Sequence, residues 1–145
     1  MNAADPFGLN RFVAAQEAIY ATVLSELRAG KKRTHWMWFI FPQLAGLGSS
    51  PMAERYAIRS AAEARAYLAH EVLGPRLLEC TATVLALEDR TVSEVFRFPD
   101  DLKLKSSMTL YAQVTGPDSD FARVLAKYFD GMHDERTLEL LRAGS

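Results

Sequence analysis

Between His35 and Gln43 stand six consecutive large apolar residues, Trp36-Met37-Trp38-Phe39-Ile40-Phe41, closed by Pro42. No regular backbone can put all six on one side. In a helix two residues turn the wheel by about 200°, so Trp36 and Trp38 point apart. In a strand they share a face with Ile40, opposite Met37, Phe39 and Phe41. Either geometry demands cover from two directions, so the rest of the chain must supply a core. It has the means: 145 residues, 49% hydrophobic and 24% charged, is a globular balance that needs no metal or disulfide to fold. The single cysteine, Cys80, excludes an intrachain disulfide, and its neighbours Leu77, Leu78, Val84 and Leu85 predict a buried, inert thiol.

Helical spacing dominates what surrounds this segment. Leu9, Phe12, Val13, Tyr20, Val23, Leu24 and Leu27 form one long stripe, ended by Gly30. Gln16 falls on that stripe and needs partners, which predicts a bridge to a neighbouring loop or a pocket. Pro42, Gly46 and Gly48 mark a loop, and Ser50-Pro51 reads as N-cap and first helical residue. Ser60 with Glu63, and Thr91 with Glu94, are capping-box patterns. Gly74-Pro75 opens a helix bearing Leu77, Leu78, Val84, Leu85 and Leu87. Asp100 or Asp101 caps the helix of Leu104, Met108 and Tyr111. Asp118 or Ser119 starts that of Phe121, Val124, Leu125, Tyr128 and Phe129, and Asp134 opens the last. Strand alternation is nearly absent. The expectation is an all-α, single-domain array of about eight short and medium helices over residues 1–145, with loose ends at Met1 to Ala4 and Ala143 to Ser145.

Seventeen basic residues stand against 18 acidic ones, a formal net charge of −1. That balance supplies no global field for nucleic acid or anionic membranes and disfavours a nucleic-acid role. The local cluster Lys31-Lys32-Arg33 reads first as a solvated helix end. The opening residues Met1 to Pro6 lack a basic start and an apolar run, and no apolar stretch is long enough for a bilayer, so a soluble, cytoplasmic protein is expected.

The stretch from Lys32 to Leu44, with Gly46-Leu47-Gly48-Ser49-Ser50 after it, resembles the signature of the family of domain of unknown function 1810, some of whose members carry the label calpastatin. The likeness continues through Tyr67-Leu68-Ala69-His70 and Leu73-Gly74-Pro75-Arg76-Leu77. It returns in the run from Asp101 to Leu110, so it spans nearly the whole chain. Glu71 stands where such families usually have proline. The resemblance implies a mainly helical fold and supplies no activity, substrate or catalytic residue.

Two constellations could carry chemistry. One joins the aromatic run to Lys32 and Arg33 and to the small residues Gly48-Ser49-Ser50 at a helix start, where backbone N–H groups attract anions. The plain alternative is that Ser50 only caps its helix. The second is the polar helix of Asp101, Lys103, Lys105, Ser106, Ser107 and Thr109, with Asp101 and Lys105 at salt-bridge spacing. Its plain alternative is a half-polar packed helix. Other templates fail: Gly46-x-Gly48 lacks the third glycine of a dinucleotide fingerprint, and His35, His70 and His133 with one cysteine have no zinc spacing.

These features favour a protein that binds a small molecule, nucleotide-like or otherwise anionic, in a pocket lined by the His35–Gln43 segment, with enzyme activity left open. His35, Lys103 and Ser107 are the candidates for chemistry. Lys32, Trp36, Trp38, Gln43, Ser49 and Ser50 are the candidates for binding. No metal or cofactor is expected. The alternative is an interaction or homodimerisation module that uses the aromatic segment as its surface.

Overall fold

The computed structural model describes residues 5–144. These form ten helices: α1 (Asn10–Glu17), α2 (Tyr20–Arg28), α3 (Met37–Ile40), α4 (Pro51–Arg55), α5 (Ala61–Ala69), α6 (Leu73–Ala86), α7 (Val92–Phe96), α8 (Asp100–Thr115), α9 (Asp120–Tyr128) and α10 (Glu135–Gly144). The fold is all-α. Among the described residues the one ladder-like feature is an isolated parallel bridge between Leu44 and Ile58.

Ten replaces eight for two reasons. The long first stripe is broken at Ala18-Ile19, where Ile19 N–H bonds back three residues to Gln16 O rather than four. The aromatic run contributes the single turn α3. The cap signals hold where they are strongest. Thr91 and Glu94 form a full capping box, and Ser119 caps α9 by accepting from Ala122 N–H. Ser60 Oγ accepts from Glu63 N–H, but the Glu63 carboxylate takes Arg59 N–H instead of closing the box on Ser60. The C-terminal end departs from expectation, since α10 carries Ala143 and Gly144; Met1 to Ala4 and Ser145 lie outside the described residues.

Helix α8 is the axis of the packing. From Leu104 through Ala112 every residue but Lys105 is buried, with α5, α7, α9 and α10 against it. Two of its buried hydroxyls are satisfied within the helix itself. Ser106 Oγ donates to Leu102 O and Thr109 Oγ1 to Lys105 O, while Thr109 also accepts from Asp134 N–H and so ties the start of α10 to α8. Gln16, the misfit on the first stripe, is 1% exposed and does bridge: its Nε2 donates to Phe39 O at 2.7 Å and to the Tyr67 hydroxyl at 3.1 Å. One amide thereby joins α1, α3 and α5. Arg11 pins the other side of α1, donating to Arg55 O, Ala57 O and the buried Glu63 carboxylate at 2.9 Å.

The corner between α5 and α6 depends on Gly74. A Cβ built there would lie 2.1 Å from Leu68 O, a backbone atom that cannot step aside. Replacing Gly74 with Ala is therefore expected to cost at least about 2 kcal/mol of overpacking, read as a lower urea midpoint at an unchanged m-value. Cys80 is fully buried on α6, and burial pushes its thiol up to about 12. It should stay unlabelled by a thiol reagent at pH 8 in the native protein and react at once in denaturant.

Candidate functional site

The site is built from the end of α2 outward. Gly30, at φ +73°, closes that helix in a Schellman arrangement: Lys31 N–H reaches Glu26 O and Gly30 N–H reaches Leu27 O. The chain then passes α7, where Lys32 N–H donates to Val95 O. Beyond it, residues 33 to 36 wrap around one carboxylate. Glu26 Oε1 accepts from Arg33 N–H at 2.8 Å, Thr34 N–H at 3.1 Å and Trp36 Nε1–H at 2.8 Å, and Oε2 accepts from Thr34 Oγ1 at 2.7 Å. Burial by itself would raise the pKa of Glu26, but the donors from Arg33, Thr34 and Trp36 outweigh it and hold the pKa at about 2.

With Trp36 anchored, the aromatic run resolves as the helical alternative. Trp36 is 2% exposed and packs on Phe41 and Phe96. Met37, Phe39, Ile40 and Phe41 are buried. Trp38, pointing the other way, is the member left half-buried. It lines a cavity of about 300 Å³ between residues 32–38 and residues 96–103. The other polar residues of its wall are Lys32, Arg33, Thr34, His35, Arg97, Asp100 and Lys103.

Two lysines in this wall are already committed. The Lys32 side chain is only 6% exposed, so it is no solvated helix end: its ammonium donates to Thr34 O at 2.6 Å, pairs with Asp100 at 2.9 Å and lies 4.9 Å from the centre of the Trp36 ring. Lys103 shares Asp100 at 3.4 Å and sits 5.5 Å over the Trp38 ring. Asp100, rather than Asp101, is the working acid of this helix start. Asp101 accepts from Ser93 Oγ and Leu102 N–H and makes no ion pair with Lys105. Arg33 and Arg97 are exposed, and their guanidinium groups make no ion pair or hydrogen bond among the described residues.

At residues 96–98, in the same wall, the chain does something unusual. Phe96 is buried, Arg97 adopts φ +62° and ψ +160°, and Phe98 stands 77% exposed. That backbone region is essentially reserved for glycine, and side-chain-bearing residues held there concentrate at binding and catalytic sites. Sequence patterning gave no sign of Arg97 or Phe98; a positive φ at a non-glycine residue has no composition signature.

The expected site residues therefore divide. Lys32, His35, Trp38 and Lys103 meet at one cleft. Trp36 lies behind it, closed off and hydrogen-bonded. Ser107, one turn along α8 from Lys103, is fully buried and its hydroxyl has no partner. Gln43, Ser49 and Ser50 belong elsewhere. Gln43 lines a separate depression with Gly46, Gly48 and Arg59, and its carbonyl accepts from Ile58 N–H in the isolated bridge. Ser50 Oγ accepts from Ala53 N–H as the cap of α4, a helix of five residues. No group of three or more His, Cys, Asp or Glu among the described residues is arranged to hold a metal ion.

The family model described as "Protein of unknown function (DUF1810)" matches residues 6–141. The chain belongs to this family. The DUF1810 chain is also similar to a solved structure, the conserved hypothetical protein Rv1873 from Mycobacterium tuberculosis at 1.38 Å. The two share 59% identity over 95% of this chain and 99% of the other, with a TM-score of 0.93. No curated protein matches the sequence. The structure bears out the helical fold that the resemblance implied, and the family brings no activity with it. No helix among the described residues of this DUF1810 member is long and apolar enough to cross a membrane.

The Glu26 carboxylate yields a prediction about stability. Its folded-state value lies below the ordinary 4.5, so the stability it contributes is present above about pH 4.5 and drains away as the pH falls toward about 2. Glu26→Gln replaces one acceptor oxygen by an amide that turns its own hydrogens toward the donors. It should cost roughly 2–3 kcal/mol at pH 7, and the gap to the wild type should narrow on acidification, as followed by denaturant melts at pH 7 and pH 3.

Proposed function

We propose that the protein binds a small anionic molecule in the cleft between residues 32–38 and 96–103. The observation that carries this reading is the pairing state of the wall. Lys32 and Lys103 are balanced by Asp100, whereas Arg33 and Arg97 face the same cavity with no anion of the protein's own. Guanidinium groups offer planar, forked donors suited to carboxylate and phosphate oxygens. A volume of about 300 Å³ sits at the lower end of ligand-sized cavities, which favours a compact molecule over a polymer. His35, exposed and on the same wall, is placed to donate to a bound oxyanion or to move a proton. Lys103 is the second group on which any reaction would draw, while the enclosed Ser107 does not reach the cleft.

The alternative, a partner or dimer surface on the aromatic segment, draws less support. Five of its six large apolar side chains are buried in the chain's own core. Outside that segment, Phe98 and Leu102 are exposed apolar side chains.

Inorganic phosphate and pyrophosphate, titrated against the full chain in a melting assay, are expected to raise the midpoint at low ionic strength. The double variant Arg33→Ala/Arg97→Ala should keep the fold, since both side chains are exposed, and lose at least about ten-fold in affinity. An unchanged midpoint at every anion concentration would sink the proposal.

A further inference from the structure

The cleft has a second half that an inorganic anion would leave unused. Trp38 is the one residue of the aromatic run withheld from full burial, and its ring lines the cavity beside Lys103. Phe98 lines the same cavity and keeps 77% of its surface in water. Leaving a phenyl ring in solvent forgoes most of the stabilisation that burying it would bring. Holding Arg97 at φ +62° just before it adds backbone strain. Both costs fall at one corner of the molecule, and the first is recovered if a flat apolar surface enters the cavity that Phe98 and Trp38 line.

The two halves together specify a ligand. Trp38 and Phe98 offer π-faces that any planar ring can stack upon. Arg33 and Arg97 offer unpaired cationic forks for an oxyanion. Asp100, the single carboxylate of the wall, has its oxygens turned to Lys32 and Lys103 and can accept from ligand hydroxyls as well. We propose that the ligand is a free nucleoside 5′-monophosphate, its base stacked at Trp38 and Phe98 and its phosphate held by Arg33 and Arg97. This rests on the anion-cleft reading above and adds the ring to it. The cavity is compact, at about 300 Å³, and the net charge of −1 gives a polyanion nothing to follow beyond the cleft.

The test separates the ring from the phosphate. The full chain is titrated with AMP, ribose 5-phosphate and a 5′-phosphorylated ten-nucleotide single strand, following indole fluorescence and the melting midpoint. AMP is expected to quench the emission, to do so no longer in Trp38→Phe, and to bind at least about ten-fold more tightly than ribose 5-phosphate. Phe98→Ala, at an exposed position, should weaken AMP by about ten-fold and leave ribose 5-phosphate and inorganic phosphate unaffected. Equal affinity for AMP and ribose 5-phosphate, with no quenching, would overturn the nucleotide assignment and leave the anion cleft standing. Tighter binding of the strand than of AMP would overturn the free mononucleotide. Failure of AMP, ribose 5-phosphate and inorganic phosphate alike would remove the anion cleft itself.

Discussion

One carboxylate, Glu26, gathers four donors from the ten residues that follow it, and the cleft takes its shape from that gathering. The segment 33–36 has no ladder or helix of its own to satisfy its backbone. The N–H groups of Arg33 and Thr34 turn inward to Glu26, and Trp36 is drawn in by its ring nitrogen. Because the indole of Trp36 is fixed, the single turn of α3 that follows must aim Met37, Phe39 and Ile40 at the core and Trp38 away from it. The side chains of Arg33 and His35 are left on the outside of the wrapped segment. A polar contact inside the molecule thus determines which groups it shows to solvent.

The opposite wall is organised by Asp100. It stands at the start of α8, the helix against which α5, α7, α9 and α10 pack, so its position is inherited from the rigid core. It receives Lys32 from the first wall and Lys103 from its own helix. Lys32 is nearly enclosed, which makes this pair less screened than a surface bridge and gives the two walls a defined separation. The cleft is therefore held by charge pairs at its base while its rim carries cations without counterparts. Such an arrangement preserves the geometry of a binding site in the absence of ligand, so less ordering remains to be done on association.

Much of the fold was legible in the residues. Proline, glycine and Ser/Thr–Glu patterns marked most helix boundaries because caps and breakers act locally, within four residues. The misplaced Gln16 announced a bridge, and Gln16 makes one. The candidate site was legible only in part. Lys32, His35, Trp38 and Lys103 do share a cavity, but Gln43 lines a different one, although it is nearer in sequence to Trp38 than Lys32 is, and Ser49 and Ser50 lie outside the cleft. Sequence proximity served as a stand-in for spatial proximity, and Pro42 and the bridge at Leu44 send the chain away from the cleft.

By themselves the residues determined an all-helical chain of this family, a buried thiol and an aromatic run needing cover on two sides. These follow from periodicity and side-chain chemistry, which are properties of short stretches. Which indole would be enclosed, which aspartate would take the lysines, and that Arg97 and Phe98 would line one cavity with Trp38 were decided only in three dimensions. Each depends on a contact between segments tens of residues apart, where the energy belongs to the pair and leaves no mark on either member alone.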